Sequence, residues 1–597
     1  MPSKRGPIIV ALFCAAALVS LFWLRVDNGR ERMLQQHSPA ARVYDEFLAE
    51  FGEEDVVIIA LSGKPLFEFD SLDEMVSAVE RIEQLPYVID INGLPVLFEN
   101  TFGLEDNEAL EDEVTSTPFY EGLFISADHQ VAGIVVEVEG MEAPGATAEI
   151  TRLLDEAVQP LRDFGFRVDM IGDPIFQSTM DRLTQRETLK MFPISAVLSL
   201  IVLVWLLRSI RATAVVLLCA ASTLLLTIGT MVVTGHTLNL VTASSPLILW
   251  VLSLANCIHI VSRYQRLLPR MEDPVAAIRA TMSQLTYSCA LSSITTAFGF
   301  ISLAVARVAA IQELGIYMGV GMVISLLVSL ALAPWCLVAW KIPPAKRIKR
   351  DSRALTVLGH TLTKHHVLAL VVAGAFAVLA GYFALQVEAN PDTLDFLQHD
   401  HPVAISFRFV AAPLTGLQSL DVVVDTPGGW LNPDYWPPLD RLIREIEEDP
   451  IVARVYSPLD FVKKINQWEN EIDPAYYVMP ESRERADELL SLMDDSDRER
   501  VGRFVRDDEN RTRLTVLMNS TNSKLFDEVI RKADASLQQL PAPMSGHLTG
   551  MAVRMHEFEY GLVTTQVVSY LASFVMVFGA IMIGMRGCSI EAGVKKG

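Results

Sequence analysis

MFPISAVLSLIVLVWLLRSIRATAVVLLCAASTLLLTIGTMVVT, residues 191–234, decides the fold. It holds two apolar runs, Met191–Leu207 and Thr213–Thr234, each near the ~20 residues a helix needs to cross a bilayer. The connection between them carries Arg208 and Arg211, so the segment reads as a membrane hairpin with a basic turn. Working outward, comparable runs lie at Ile8–Leu24, Val241–Val261, Tyr287–Ala306, Leu314–Trp340, Val367–Leu385 and Leu562–Met585. The sequence therefore predicts about eight spans. Two charged stretches interrupt the series, roughly 165 and 175 residues long and each of domain size.

Lys and Arg collect at Lys4 and Arg5, at Arg208 and Arg211, at Arg263, Arg266, Arg270 and Arg279, in KIPPAKRIKRDSR (Lys341–Arg353), and at Arg586. These are alternate connections, which places the N-terminus in the cytoplasm and both charged stretches outside it, in a multi-pass membrane protein. The expected organisation is a first span in 1–26, an external α+β domain in 27–190 and a five-helix bundle in 191–340. A basic linker (341–364), a seventh span (365–386), a second external α+β domain (387–560), an eighth span (561–586) and a short tail (587–597) follow. The first span could also be read as a cleaved signal peptide. Its length and the lack of a clear cleavage site before Asp27 favour a span.

The chain is 51% hydrophobic yet has 72 acidic against 49 basic residues, a net charge of -23. The excess acid sits in the two charged stretches and argues against a nucleic-acid partner. Cys14, Cys219, Cys257, Cys289 and Cys336 lie in apolar runs and Cys588 just beyond the last, so the external domains must fold without disulfides. The sequence has no P-loop, GxSxG, HExxH or CxxC pattern, which argues against an enzyme, a bound metal or a cofactor. The pair His365 and His366 opens the seventh span and reads as interfacial.

One plan runs through the chain twice. FGEEDVVIIAL (Phe51–Leu61) and LTGLQSLDVVVD (Leu414–Asp425) both read as a Gly turn leading into an apolar strand. IGDPIF (Ile171–Phe176) and TGMAVR (Thr549–Arg554) leave the two stretches alike: Gly172 precedes Arg208, and Gly550 precedes Arg586, by 36 residues in each case. Strands at Gly133–Val138 and Leu514–Met518, and amphipathic helices at Asp73–Gln84, Thr147–Leu161 and Leu439–Glu447, complete an α+β reading of each stretch. The stretches present apolar and acidic surface without a pocket that can be read from sequence.

From Gly165 to Trp340 the chain resembles the first half of a permease of the RND superfamily, in the MMPL-like group related to sterol-sensing-domain proteins. LRSIRA (Leu207–Ala212), GHTLNL (Gly235–Leu240), ANCIHIVSRY (Ala255–Tyr264), SSITTAFGFISL (Ser292–Leu303) and ELGIYMGVG (Glu313–Gly321) carry that resemblance. It implies two related six-helix bundles with porter domains and proton-driven export of a hydrophobic or lipid-like substrate. Membrane lipids and an amphiphilic substrate are the implied partners, with a homo-oligomer or a periplasmic adaptor as the protein partner. A full member would continue with four more helices after GMRGCSIEAGVKKG, so the second bundle is expected to be incomplete and the chain truncated. The alternatives are a non-transporting lipid-sensing or assembly module, or a nonfunctional fragment.

The resemblance puts a proton-relay carboxylate on the fourth span, where Ala255 and Asn256 stand instead. Asn256, His259 and Arg263 share one helical face and are the coupling candidates. For His259 both a proton carrier and a polar anchor remain open. Asn239, Ser292, Ser293, Thr295 and Thr296 are candidate polar contacts between helices, though small hydroxyl residues also serve simple packing. Gly299, Gly315 and Gly319 are read as sites of close helix contact or hinges, and Pro246 as a kink in the fourth span. The run Lys341–Arg353 is a topology signal or an anionic-lipid contact.

Overall fold

The computed structural model describes residues 5–26, 38–52, 55–99, 107–141, 143, 145–271, 273–306, 308–344, 353–384, 386, 393–411, 413–414, 418–493, 495–506, 510–520 and 522–594. Lys4, Glu272 and the 345–352 part of the basic linker lie outside them. The chain divides into two compact units: residues 1–26, 186–390 and 563–597 form one, and residues 27–185 and 391–562 the other.

The first unit is helical. Its long apolar helices are α1 (Arg5–Ser20), α2 (Asp173–Leu207), α3 (Ile210–Val233), α4 (Ser245–Leu267), α5 (Pro274–Ile301), α6 (Ala309–Ala339), α7 (His366–Ala384) and α8 (Met551–Val594), of which α2 and α8 begin in the second unit. Among the described residues seven helices have the length and composition to cross a membrane. The expected eighth span falls within α8, where the described apolar part is the shorter Val568–Ile583. That helix continues through the expected tail as far as Val594. α3, α4 and α6 form the bundle's core, with Val215, Cys219, Cys257, Ile260, Ala333 and Leu337 buried between them. No residue of α7 is buried within the chain.

Small residues set the α5–α6 contact. A side-chain carbon added at Gly315 would come within 2.6 Å of the Phe300 carbonyl oxygen, and one at Gly319 within 2.5 Å of Ile301. Close helix approach in a membrane requires such residues. At Gly299 the nearest atom would be the Ser573 hydroxyl at 3.7 Å, so that glycine is not fixed by packing. Pro246 corrects a sequence expectation. It stands in the first turn of α4, where a proline's missing N–H removes no intrahelical bond, and so it starts the helix instead of kinking it.

The second unit contains two antiparallel sheets. The first is β1 (Asp55–Ser62), β2 (Val88–Gly93), β3 (Val131–Val138) and β4 (Arg167–Gly172), in spatial order β2-β3-β1-β4. The second is β5 (Gln418–Asp425), β6 (Val452–Tyr456), β8 (Arg511–Met518) and β9 (Ser545–Thr549), in order β6-β8-β5-β9, with β7 (Val505–Arg506) added beside β8. Each sheet carries one helix after its first strand, Phe69–Glu83 or Trp436–Glu447, and one before its last, Ala146–Ala157 or Ser523–Leu537. The expected helix at Thr147–Leu161 is two: Pro160 stops the first and opens a short second one, Gln159–Phe164. Alternation along β1 sends Val57, Ile59 and Leu61 to one core and Ile58 and Ala60 to the opposite face.

What covers that opposite face comes from elsewhere in the chain. The helix Pro402–Val410, which precedes β5, buries Ala404, Phe407 and Val410 against Ile58, Ala60 and Ile171 of the first sheet. Ser406 Oγ donates to Asp169 Oδ1 at 2.7 Å, and the Arg167 guanidinium lies 3.6 Å from the centre of the Phe409 ring. In return the helix Pro39–Phe51, which precedes β1, buries Phe47 and Phe51 on Val423 of the second sheet. Arg511 Nη1 pairs with Glu50 Oε2 at 2.7 Å, and Arg506 Nε donates to the Glu50 carbonyl at 2.9 Å. Each sheet is thus capped by the helix that leads into the other.

Gly172 and Gly550 close the last strands of the two sheets and pass directly into α2 and α8. Both have positive φ, +136° and +96°. A side-chain carbon at Gly172 would lie 2.2 Å from the Val56 carbonyl oxygen, whereas one at Gly145, also at positive φ, would meet nothing within 4 Å. Gly172→Ala is therefore expected to be ~1–3 kcal/mol more destabilising than Gly145→Ala. Thermal unfolding of the two purified variants checks this; equal midpoints would contradict the contact.

Candidate functional site

Between the two sheets of the second unit lies a cavity of about 290 Å³. Sequence alone offered no pocket here, because its walls come from segments hundreds of residues apart. The floor of the first sheet supplies Val56, Ile58, Val135 and Glu137, and the second supplies Ser419, Asp421, Arg513, Thr515 and Leu517. The crossing helices add Tyr44, Phe47, Leu48 and Phe407. An aromatic wall completes it. Phe119 packs edge-on against Phe461 at 5.1 Å and Tyr456 at 5.9 Å, and the Tyr456 hydroxyl donates to the Phe119 carbonyl at 3.2 Å. Burial raises Tyr120 and Tyr456 well above the usual phenol range, so both line the cavity as neutral hydroxyls.

One side of the wall is charged but internally balanced. Asp497 accepts from Lys464 Nζ at 3.1 Å and from Arg500 Nη1 at 3.1 Å. Arg500 Nε also reaches Asp90 Oδ2 at 3.5 Å, and Arg503 pairs with Glu137. These pairs tie the helix Asp495–Phe504 to β2 and β3 of the first sheet. Burial opposes the Asp497 charge, but Lys464 and Arg500 outweigh it and hold the carboxyl below its usual range. Apolar cavities with a few placed polar groups are the usual form of small-molecule sites. This one combines an apolar, aromatic lining with the Lys464, Arg500 and Asp497 groups.

The polar residues of the helical unit fall into two groups. Asn256 is buried on α4 and donates Nδ2 to Ser293 Oγ of α5 at 2.7 Å. One turn-pair further, Arg263 Nε donates to Gln284 Oε1 of α5 at 2.9 Å. His259, between them in sequence, is exposed, as is Ala255. The face predicted to carry all three therefore splits: Asn256 and Arg263 join α5, and His259 does not. Ser292 is exposed, and the Thr295 and Thr296 hydroxyls donate to the Ser292 carbonyl of their own helix, each at 2.9 Å. These two satisfy themselves locally, as hydroxyls in membrane helices often do.

A second cluster joins α3 to α6 through GHTLNL. Asn239 is fully buried; its Oδ1 accepts from the Val241 and Thr242 amides, and its Nδ2 donates to Glu313 Oε2 at 3.3 Å. His236 Nε2 stands 3.7 Å from Glu313 Oε1, and its Nδ1 is 2.8 Å from the Tyr317 hydroxyl. Tyr317 in turn contacts Thr234 Oγ1 at 2.5 Å. Glu313 is the one carboxylate in the sequences of α3 to α6. In the sequence it only opens the segment ELGIYMGVG and has no role of its own. The missed signal was its spacing of four from Tyr317, which puts both on one helical face.

Two outcomes are expected. Asn256→Ala and Ser293→Ala should couple by ~0.6–2 kcal/mol in a double-mutant cycle of thermal stability; additive effects would deny the bond. The folded Asp497 value lies below the unfolded one, so its contribution to stability is present above the ordinary carboxylate range and lost as pH falls through the folded value. Asp497→Asn should flatten part of the acid limb of the stability profile measured from pH 7 to 3. An unchanged acid limb would remove this carboxylate from the account.

Comparison with known proteins agrees with the helical organisation. The family model of the MMPL family matches residues 38–357. The chain is also similar to a membrane protein of Methanocaldococcus jannaschii, with 22% identity over 369 residues that cover 58% of this chain and 94% of that protein. The match takes in the first sheet, its crossing helix and α2 to α6, more than half of the residues. By that match this chain, a membrane protein with several apolar helices, belongs to the MMPL family.

Proposed function

We propose that this chain is an RND-type transporter of the inner membrane that exports a hydrophobic or lipid-like molecule, with the two-sheet unit as its substrate path. The observation that carries the reading is the aromatic cavity between the sheets in a chain of this family. On this reading the sheets are porter-like domains on the non-cytoplasmic side, residues 27–190 and 387–560, related by duplication. The equal strand orders and the reciprocal capping helices support that relation. Proton drive belongs to the same proposal. With no carboxylate at Ala255 or Asn256, the group best suited to carry a proton is Glu313, in contact with His236 and Asn239.

A second reading, a lipid-sensing module that moves no cargo, draws on a specific observation. Asn256 is one of the two residues at which the relay carboxylate is expected, and its amide donates to Ser293, a neutral arrangement that needs no proton. The two readings separate in proteoliposomes carrying an imposed pH gradient. Transport predicts gradient-dependent loss of a lipophilic dye, lowered about tenfold or more by Phe461→Trp, which fills the cavity, and made independent of the gradient by Glu313→Gln. Gradient-independent dye retention by the wild type would overturn transport and leave the sensor. A gradient response that survives Glu313→Gln would remove Glu313 from the coupling.

A further inference from the structure

The segment TGMAVR ends on a residue whose surroundings do not balance. Arg554 is 7% exposed, in the first turn of α8, and neither its Nε nor its Nη1 has a hydrogen-bond partner. Among the described residues it forms no ion pair. Its guanidinium carbon lies 5.7 Å from the centre of the Tyr44 ring. A buried, always-charged group left without an anion is costly. Proteins keep such a group where something else completes it.

Carboxylates near the start of α8 have other partners. Asp421 Oδ1 accepts from Arg513 Nε at 2.8 Å and from the Thr515 hydroxyl at 3.1 Å, and Glu557 is bonded to Ser38 Oγ. Arg454, half-buried and also with an unpartnered Nε, makes a useful contrast. Its guanidinium donates to the Tyr477 hydroxyl at 3.2 Å and feels Asp460 and Glu447. Arg454 is completed by the fold, and Arg554 is not.

Position indicates what would complete it. Met551 and Tyr44 both line the cavity. Met551 and Arg554 are three residues apart on α8, hence on one face, and a helical side chain leans toward the helix N-terminus. The guanidinium lies over the ring of Tyr44, 5.7 Å from its centre, next to the cavity wall though not itself among the lining residues. The first amides of α8 have no acceptor within the helix and add a positive dipole end there.

We infer that Arg554 and the start of α8 form an oxyanion site, which takes a carboxylate or phosphate monoester beside the apolar cavity. The inference rests on the transport reading for the cavity itself and deepens it: the cargo is an acidic amphiphile, its chain among Phe47, Phe119 and Phe461 and its head group on the Arg554 fork. Planar guanidinium binds such groups through two parallel hydrogen bonds, which lysine cannot reproduce.

The test uses the full chain in amphipol and calorimetric titration with dodecanoate, dodecyl phosphate, neutral dodecanol and inorganic phosphate. The wild type should bind the two acidic amphiphiles about tenfold or more tighter than dodecanol. Arg554→Gln should remove that preference while dodecanol binding persists, and Arg554→Lys should retain only part of it. Equal affinity of the wild type for acidic and neutral chains overturns the oxyanion site but leaves the cavity reading standing. So does an acid preference that survives in Arg554→Gln. Should Arg554→Gln fail to fold, the wild-type preference and its partial loss in Arg554→Lys decide the matter. If no amphiphile binds, the cavity reading fails. Thermal stabilisation by inorganic phosphate that weakens in Arg554→Lys would then assign the site to a free oxyanion, and its absence would refute the site.

Discussion

The exchange of capping helices between the two sheets is the constraint on which the second unit depends. A four-stranded sheet with helices on one side leaves its other face apolar, and Ile58, Ala60 and Val423 would be exposed without cover. Each half supplies the cover for the other, through Phe407 in one direction and Phe47 with Phe51 in the other. Neither half buries its sheet alone. The two crossing helices cover only part of each face, and the uncovered remainder, closed over by Phe119, Tyr456 and Phe461, is the cavity. The same arrangement explains why the charged wall is built of pairs that cross between halves, Arg500 with Asp90 and Arg503 with Glu137. A half-buried pair of that kind fixes geometry more than it adds stability.

The helical unit follows a different economy. In a bilayer every polar side chain on a helix needs a partner close by. Thr295 and Thr296 find one on their own backbone, Asn256 finds Ser293, and Asn239 organises a whole connection around Glu313. Only the last group contains titratable side chains in contact, His236, Glu313 and Tyr317. The small residues Gly315 and Gly319 let α5 and α6 approach closely, which is packing and requires no hinge.

Much of this was legible in the sequence, for physical reasons that can be named. Hydropathy finds spans because lipid admits few alternatives, and it located the seven helices long enough to cross among the described residues. The β-branched runs Gly133–Val138 and Leu514–Met518 lie in strands that start two or three residues earlier, Val131–Val138 and Arg511–Met518. Gly172 and Gly550 stood out by spacing, and both prove to sit at positive φ on strand ends where added atoms would collide. Local reading failed where the meaning of a residue depends on distant chain. Pro246 reads as a kink within the fourth span because the helix start, set by the buried Asn239 turn, is not a hydropathy signal. The cavity was invisible because Phe119 and Phe461 meet only after folding, and Arg554 was seen as part of a repeat and not as a charge without a counter-ion.

The central claim is that the space between the sheets holds an apolar or amphiphilic molecule in the working protein. It is tested most directly by photo-crosslinking in intact cells, with a benzophenone side chain at Phe461 and, as control, at Trp468 on the same helix, which is 54% exposed. Adduct of a membrane-derived amphiphile at 461, identified by mass spectrometry and absent at 468, is the predicted result. Adducts equal at both positions, or none at 461 in folded protein, would contradict the account.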